Sequence, residues 1–253
     1  MKSKKINPCI IIQARIGSKR FPGKMVKKLS GKTVIEHIIE RLKKCKKINH
    51  IILSVPKTKK NLIFKKIANK NRILFFSGSE DNLVKRFLDT AKKFDVDPII
   101  RFPGDNIIPE PKEIDRIVDH HLKQKFPTFS SNLMPFKNSG YPDGIGAEVF
   151  NFDMIERVSK LKLDKHKKEH IHLNFINYEK GISIDKKKFK VSTIKCPAHI
   201  NRKEFPYTFD INFEWQYIVF KKMYKKLYKK NKFFTAKDAI NWMDKNFSTL
   251  NKC

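Results

Sequence analysis

The fold is decided near the start of the chain by the stretch Ile11-Ile12-Gln13-Ala14-Arg15-Ile16-Gly17-Ser18-Lys19-Arg20-Phe21-Pro22-Gly23-Lys24. The apolar residues that lead into it, Cys9–Gln13, predict a short buried strand. The loop that follows contains two glycines, a serine and several cations, among them Arg15, Arg20 and Lys24. Glycine lets the backbone approach phosphate oxygens, while arginine and lysine bind phosphate directly. The loop therefore suits a nucleoside triphosphate, although an ordinary basic surface loop would have the same composition.

Short apolar runs alternate with amphipathic helical patterns through the first half of the chain. The predicted strands are Cys9–Gln13, Ile51–Val55, Ile73–Phe76 and Pro98–Phe102. The predicted helices are Thr33–Cys45, Lys59–Lys70, Glu80–Phe94 and Pro111–Lys123. This alternation predicts an α/β fold with a mostly parallel sheet and helices on both faces. Ligands of such sheets bind at the carboxyl ends of the strands.

The second half of the chain is richer in loops, because proline and glycine recur after Phe126. We expect strands at Ala147–Phe152, Phe189–Ile194 and Tyr207–Asp210, and helices at Met154–Leu161, Glu169–Tyr178, Glu214–Tyr228 and Thr235–Asn246. His120 and His121 are expected to face solvent from their helix. With no internal repeat or linker, we predict a single domain over residues 1–253 with a small inserted arm at about 127–206 that binds sugar or forms a dimer contact.

The chain of 253 residues carries 56 Lys and Arg against 25 Asp and Glu, a formal net charge of +31. Such a charge invites a nucleic-acid-binding interpretation. The lysines are spread along the whole chain, however, so we expect the charge to attract an anionic nucleotide and do not expect a nucleic-acid partner. The apolar runs are too short to span a bilayer, and we predict a cytoplasmic protein with no membrane partner. The scattered cysteines are expected to be reduced thiols.

The opening stretch contains neither a Walker A loop nor a G-x-G-x-x-G pattern. It closely resembles the first signature of the cytidylyltransferases that make CMP-activated acidic sugars: the CMP-Kdo synthetases, the acylneuraminate cytidylyltransferases and, above all, the SpsF-like spore coat polysaccharide branch. The resemblance continues, in the family's order, through Gly78-Ser79-Glu80-Asp81-Asn82-Leu83-Val84-Lys85-Arg86-Phe87, Arg101-Phe102-Pro103-Gly104-Asp105-Asn106-Ile107-Ile108-Pro109, Pro142-Asp143-Gly144, Glu148-Val149-Phe150 and Glu169-His170-Ile171. It implies a Rossmann-like nucleotidyltransferase fold, CTP as substrate, Mg²⁺ as cofactor, release of pyrophosphate and a homodimer.

The resemblance also implies roles for particular residues. The catalytic residues would be Arg15, Lys24 and Asp105. The nucleotide would contact Gln13, Ala14, Arg15, Gly17, Ser18, Arg20, Lys24, Ser79, Arg86 and Gly104. Glu148 and His170 would contact the acceptor, although a structural role for His170 is equally open. Arg86 and Arg101 would each reach the nucleotide or the sugar, or pair with nearby carboxylates, and a site role is favoured for Arg86.

Asp105 and Asp210 are the predicted Mg²⁺ ligands. Asp105 follows a predicted strand and a glycine, which places its carboxylate at the carboxyl edge of the sheet, and Mg²⁺ binds one or two carboxylates together with phosphate oxygens. Asp210 matches the aspartate after the family's last core strand. The family usually continues there with a small polar turn and an acidic residue, whereas this chain reads Ile211-Asn212-Phe213-Glu214. Asp210 would then either bind metal or start the next helix.

The expected reaction is transfer of CMP to an acidic sugar of the 2-keto-3-deoxy or nonulosonic type, for surface polysaccharide biosynthesis. A sugar phosphate or a phosphonate is an alternative acceptor. A uridylyl- or guanylyltransferase acting on sugar 1-phosphates is a second enzyme hypothesis, although such enzymes have a more glycine-rich first loop. A basic nucleic-acid-binding protein and a family member that binds without catalysis are the further alternatives.

Overall fold

A computed structural model describes residues 6–132, 140–177, 180–202 and 208–250, with backbone alone at 247–250. A seven-stranded sheet forms its centre, in the order β11-β7-β8-β6-β1-β4-β5. Two short hairpins, β2–β3 and β9–β10, lie outside it. The strands are β1 Cys9–Gln13, β2 Lys28–Leu29, β3 Lys32–Thr33, β4 His50–Pro56, β5 Leu74–Gly78, β6 Ile99–Pro103, β7 Thr128–Ser131, β8 Glu148–Phe150, β9 Ile176–Asn177, β10 Ile182–Ser183 and β11 Lys190–Ser192.

The strand β1 lies at the centre of the parallel part of the sheet, between β4 and β6. Successive side chains of a strand point to opposite faces. Ile10 and Ile12 accordingly belong to one apolar cluster, and Cys9 and Ile11 to a second cluster on the other face. Among the described strands of the seven-stranded sheet, β8 alone runs antiparallel to its neighbours, β6 and β7. The predicted mostly parallel α/β sheet is therefore confirmed.

Helices cover both apolar faces of the sheet. They are α1 Val34–Leu42, α2 Ile63–Lys70, α3 Leu83–Phe94, α4 Pro111–Leu122, α5 Phe152–Ser159, α6 Lys165–Glu169, α7 Glu214–Lys230 and α8 Ala236–Leu250. Residues of α1, α2, α4, α7 and α8 pack into the cluster around Ile10, whereas α3 and α5 pack into the cluster around Ile11. No helix in the part of the chain that the structure describes is long and apolar enough to cross a bilayer.

The segment predicted as an inserted arm contributes three strands, β7, β8 and β11, to the central sheet. The helix predicted over Glu169–Tyr178 is wrong: α6 ends at Glu169, a 3-10 turn covers Ile171–Asn174, and β9 follows. His170 has extended backbone angles, which end the helix, and the Asn174 amide donates to the carbonyl of Lys167 at 3.0 Å. The Asn174 side chain thus donates to a carbonyl at the end of the helix, in place of a backbone N–H of a further helical turn. Apolar periodicity does not reveal such a side-chain hydrogen bond.

The prediction that His121 faces solvent is also wrong. His121 is buried, and its Nδ1 lies 3.0 Å from Ser130 Oγ. Burial lowers its pKa to about 4. His121 follows Ile114 and Ile117 at the i+7 and i+4 positions of the α4 face that packs on β7. His120 is half-buried, with Nε2 at 2.6 Å from Ser192 Oγ.

The predicted strand Tyr207–Asp210 is present only as two isolated bridges, and Tyr207 lies outside the described residues. Thr208 pairs with Asp143, and Asp210 pairs with Asn106. Gly144 lets these segments approach one another, because its φ is +90° and an added Cβ would lie 2.7 Å from the carbonyl carbon of Phe209. A glycine is therefore required at this position.

We predict that Gly144→Ala lowers the free energy of unfolding by about 1–3 kcal/mol, because alanine combines backbone strain with a steric clash. Urea denaturation with an unchanged m-value measures the effect. Gly17→Ala is the matched control, since no heavy atom lies within 4 Å of its added Cβ and its φ is not left-handed. Equal stability of the two variants would contradict the close approach.

Candidate active site

A cleft of about 510 Å³ opens at the carboxyl ends of β1 and β6, where a parallel sheet is expected to bind its ligand. Six cationic side chains and three carboxylates line it among the described residues. Its lining residues are Gln13, Ala14, Arg15, Ser18, Lys19, Arg20, Lys24, Met25, Glu80, Leu83, Arg86, Arg101, Pro103, Asp105, Glu169 and His170. Of the residues predicted from the sequence, the cleft brings together ten: Gln13, Ala14, Arg15, Ser18, Arg20, Lys24, Arg86, Arg101, Asp105 and His170.

The loop after β1 folds back on the carbonyl oxygen of Ile16. The backbone N–H groups of Ser18 and Gly23 donate to that oxygen at 2.9 and 3.0 Å. Gly23 has φ +71°, and the 3-10 turn that begins at Lys24 follows it directly. The N–H of Ile16 donates to the buried side chain of Asn61 at 3.0 Å. Asn61 thus holds the base of the loop, a role that nothing in its sequence context indicates.

Lys24 is a buried wall residue of the cleft. Its Nζ donates to Asp105 Oδ2 at 2.7 Å and to the carbonyl oxygen of Ile211. A buried ammonium group needs such partners, because its desolvation is otherwise unfavourable. Lys24 therefore joins the first loop, the end of β6 and the segment after Asp210, and its amine is fixed in position.

Three aspartates interact at the cleft: Asp105 lines it, and the charges of Asp143 and Asp210 act beside it. The backbone aligns them, because the N–H of Ile211 donates to the Asp105 carbonyl at 3.0 Å and the N–H of Phe209 donates to the Asp143 carbonyl at 2.8 Å. Burial, and then the charge of Asp210, raises the pKa of Asp143 to about 6. Burial, and then the charge of Asp105, raises the pKa of Asp210. The three carboxylates thus repel one another where little water can screen them.

The aspartate cluster has the chemistry that a hard divalent cation requires. Asp210 Oδ2 accepts from the Asn212 amide, but Oδ1 is buried without a hydrogen-bond partner among the described residues. No group of three or more His, Cys, Asp or Glu side chains in the described ranges could hold a metal ion by itself. That finding is compatible with Mg²⁺, which binds through one or two carboxylates and takes its other ligands from phosphate and water. The predicted pair Asp105 and Asp210 therefore fits this ion.

Glu148 does not line the cleft, but it forms an ion pair with Arg101, which does. The two residues face each other across β6 and β8, with Arg101 Nη1 at 2.5 Å from Glu148 Oε2, and both side chains are almost fully buried. Arg101 Nε also donates to Gln13 Oε1 at 2.9 Å. His172 Nδ1 lies 3.8 Å from the other Glu148 oxygen, and burial lowers the pKa of His172 to about 4. Glu148 and Gln13 together orient the Arg101 guanidinium at the cleft wall.

Arg86 is a third buried cation of the cleft, after Lys24 and Arg101. Its Nη1 donates to the Ser79 carbonyl at 2.7 Å, while Nε has no partner among the described residues. Burial, and then the charge of Arg15, lowers the Arg86 pKa to about 10. The Ser79 side chain accepts from the Asn82 N–H at 3.2 Å and does not line the cleft. Ser79 thus supports Arg86, and the two neighbouring arginines favour an anionic ligand between them.

The remaining predicted residues differ in their position. Gly104 packs against β1, where its N–H donates to the Gln13 carbonyl at 2.9 Å and an added Cβ would lie 2.7 Å from that oxygen. Gly17 is exposed on the loop, outside the lining residues. The Arg20 guanidinium lies over the Phe213 ring at 5.3 Å. His170 lines the cleft with its ring 4.7 Å from that of His166, and burial lowers its pKa.

Sequence reasoning left several cleft residues without a role. Lys19, Glu80 and Glu169 line the cleft, and Asp143 completes the aspartate cluster. Each of the four lies within or next to a family motif, which is the signal that would have identified them. Charge type alone does not distinguish them from the many exposed charges of this chain.

We predict that Asp143→Asn raises the free energy of unfolding above pH 6. The Asp143 carboxyl has a pKa of about 6 in the fold and about 3.9 when unfolded. The native state therefore binds its proton more tightly, and the charged form costs stability as the pH rises through 6. The gain from asparagine should reach up to about 3 kcal/mol at pH 8 and disappear near pH 4. Urea titrations across this range test it, with the exposed Asp81→Asn as control; a pH-independent difference would contradict it.

The comparisons with known proteins agree with this geometry. The cytidylyltransferase family model matches residues 9–240. An uncharacterised protein of Methanocaldococcus jannaschii, MJ1063, is 32% identical over 200 residues, covering 79% of this chain and 76% of its own. The spore coat polysaccharide biosynthesis protein SpsF of Bacillus subtilis is 24% identical over 221 residues, covering 85% of each chain. The solved structure of a cytidylyltransferase from Leptospira borgpetersenii superposes with a TM-score of 0.83 at 27% identity over 97% of both chains. The chain belongs to the cytidylyltransferase family, and it is a nucleotidyltransferase enzyme.

Proposed function

We propose that this enzyme transfers CMP from CTP to an acidic sugar and releases pyrophosphate. The observation that carries the proposal is the basic loop 15–24 folded at the carboxyl end of β1, directly beside the Asp105 carboxylate. This arrangement places a loop suited to phosphate beside a carboxylate suited to a metal ion, which supports the proposal. The resemblance of the loop to the CMP-sugar synthetases supports cytidine as the base.

The cations of the loop would bind the triphosphate. Arg15 and Arg20 are exposed at the cleft mouth, and Lys24 is fixed in its wall. The acceptor hydroxyl would attack the α-phosphorus, and the bond to the β-phosphate would break. Negative charge then develops on the departing pyrophosphate, where preorganised cations stabilise it most effectively. Fixing Lys24 before the substrate arrives serves this purpose.

Mg²⁺ is the proposed cofactor, and Asp105 and Asp210 would hold it. When bound, the ion would neutralise the triphosphate and polarise the α-phosphoryl group. The mutual repulsion of the aspartate cluster supports this proposal, because a cation would relieve it. Lys24 would hold the Asp105 carboxylate in position beside the ion.

Arg101 is the proposed contact for the acidic group of the acceptor. It lines the cleft, and Gln13 and Glu148 fix its orientation, so that its remaining N–H donors are available to a carboxylate. Glu148, predicted as a direct acceptor contact, would instead act through Arg101. His170, on the cleft wall nearby, would contact acceptor hydroxyls. The relationship to SpsF supports a role in surface polysaccharide biosynthesis, and we propose that the enzyme works as a homodimer in the cytoplasm.

We predict that CTP, and not UTP, GTP or ATP, supports pyrophosphate release with a panel of acidic sugars. Arg15→Ala and Lys24→Ala should each lower kcat/KM by about 10²-fold or more, because each removes charge stabilisation at the phosphates. Lys66→Ala, an exposed residue of α2, is the matched control. A steady-state pyrophosphate assay measures the effect, with circular dichroism to verify folding.

Three results would count against the proposal. A preference for UTP or GTP would assign the enzyme to the sugar 1-phosphate branch. Near-full activity of both Arg15→Ala and Lys24→Ala would make the loop an ordinary surface feature. CTP binding without turnover on any acceptor would favour a binding role alone.

We predict that Asp105→Asn and Asp210→Asn abolish turnover while the protein stays folded. Asp210→Asn should also raise the melting temperature without Mg²⁺, because it removes a buried charge that repels Asp105. The further increase that Mg²⁺ and CTP give the parent enzyme should be lost. Thermal shift with and without Mg²⁺ measures both effects, and the exposed variant Asp81→Asn is the control. A Mg²⁺-dependent shift that survives in Asp210→Asn would remove Asp210 from the metal site.

A further inference from the structure

The exposed face of α7 combines apolar and basic residues. Its buried side consists of Gln216, Phe220, Met223 and Tyr224. Its outward side begins with Trp215 and Ile218, which are 63% and 49% exposed. The six lysines of the helix, Lys221, Lys222, Lys225, Lys226, Lys229 and Lys230, are all exposed. We refer to Trp215, Ile218 and these lysines as the α7 face.

The α7 face forms a continuous stripe along the helix. Trp215, Ile218, Lys222, Lys225 and Lys229 follow one another at spacings of three or four residues, which places them on one side. The stripe is about 21 Å long at 1.5 Å per residue. Beside it, the groove between α7 and α8 has a volume of about 1090 Å³ and adds Lys245 and Trp242 to the same basic surface.

The charged residues of the α7 face itself are all lysines, and Asp238 is the single carboxylate among the described residues that line the groove beside it. No Asp or Glu occurs between Trp215 and Lys230 in the sequence. None of the six lysines forms an ion pair with another described residue, whereas lysines elsewhere, such as Lys70 and Lys85, pair with carboxylates. The face is therefore a site of concentrated positive charge and cannot be attributed only to the lysine content of the chain.

We propose that the α7 face docks the enzyme peripherally on an anionic membrane surface. Clusters of four to eight basic residues on an amphipathic helix bind anionic lipid headgroups. Tryptophan prefers the headgroup level of a bilayer, and an exposed isoleucine gains from burial at the acyl boundary. The sequence predicted no membrane partner because no apolar run can span a bilayer, and docking through a folded surface requires no such run.

Two other occupants fit the α7 face less well. A second copy of this chain would bring six lysines against six lysines in a two-fold contact, with no carboxylate on the face to offset them. Nucleic-acid surfaces favour arginine, which binds phosphate bidentately and stacks on bases. No arginine occurs from Glu214 to the end of the chain. Ile218 likewise offers no flat surface for a base.

The α7 face begins beside the candidate active site. Arg20 Nη2 donates to Asn212 Oδ1, and the Arg20 guanidinium covers Phe213, the residue before the helix. Docking through Trp215 would therefore place the cleft close to the membrane surface. The lysines themselves do not line the cleft, so membrane docking and turnover can be tested separately.

Sedimentation with vesicles of phosphatidylglycerol and phosphatidylcholine tests the proposal on the full chain. We expect binding to the anionic vesicles, loss of that binding at high salt, and little binding to pure phosphatidylcholine. Replacing Lys222, Lys225, Lys226 and Lys229 together by alanine should weaken binding by about 100-fold or more. The control replaces four exposed lysines elsewhere, Lys65, Lys66, Lys186 and Lys187, and should change binding far less although its net charge is the same.

Tryptophan fluorescence reports which residue meets the bilayer. In the variant Trp242→Phe the remaining tryptophan is Trp215. Its emission should shift to the blue and resist acrylamide quenching when anionic vesicles are added. CTP-dependent pyrophosphate release should be unchanged in the four-lysine variant, which also verifies its folding.

Each alternative outcome would overturn the proposal. Equal losses in the two four-lysine variants would show a general charge effect. Binding to DNA or RNA but not to vesicles would identify a nucleic-acid surface. Trp215→Ala converting a dimer into a monomer in analytical ultracentrifugation would identify the face as a contact between two copies.

Discussion

The ion pair between Lys24 and Asp105 is the interaction on which the rest of the site depends. Lys24 is buried, so its ammonium group must be neutralised and fully hydrogen-bonded if the chain is to fold around it. Asp105 supplies the charge and the Ile211 carbonyl supplies a second acceptor. Three segments that are far apart in sequence are thereby held in one position. The central sheet provides the frame, but this pair sets the distance between the basic loop and the carboxylates.

The aspartate cluster lowers the stability of the fold, because it places repelling carboxylates close together. Burial and mutual repulsion raise the pKa of Asp143 and of Asp210, and Asp210 Oδ1 is buried without a hydrogen-bond partner among the described residues. A core selected for stability alone would replace such groups. Unfavourable electrostatics of this kind is typical of sites that bind a charged ligand, because binding the ligand offsets the repulsion.

Much of the fold could be predicted from the sequence, because its elements depend on local patterns. The apolar strand β1 has the predicted bounds, and Pro111 starts α4 where proline favours a helix N-terminus. The predictions that were wrong concern residues whose position is set by packing or by a side-chain hydrogen bond. His121 is polar but occupies a core position of α4, and the turn after His170 is held by the side chain of Asn174.

The candidate site could be predicted in its composition but not in its internal pairing. Ten of the predicted residues line the cleft, and they could be predicted because they lie in the family motifs. The partnership of Arg101 with Glu148 depends on β8 running antiparallel to β6, and no local pattern encodes that direction.

Burial also determines which of the cations behind the net charge of +31 have a defined position. A buried cation requires a partner and an exposed lysine does not, so Lys24 and Arg101 are specified by the fold in a way that most surface lysines are not. Position in the structure, and not the total charge, therefore separates the cations that hold the cleft together from those that only surround it.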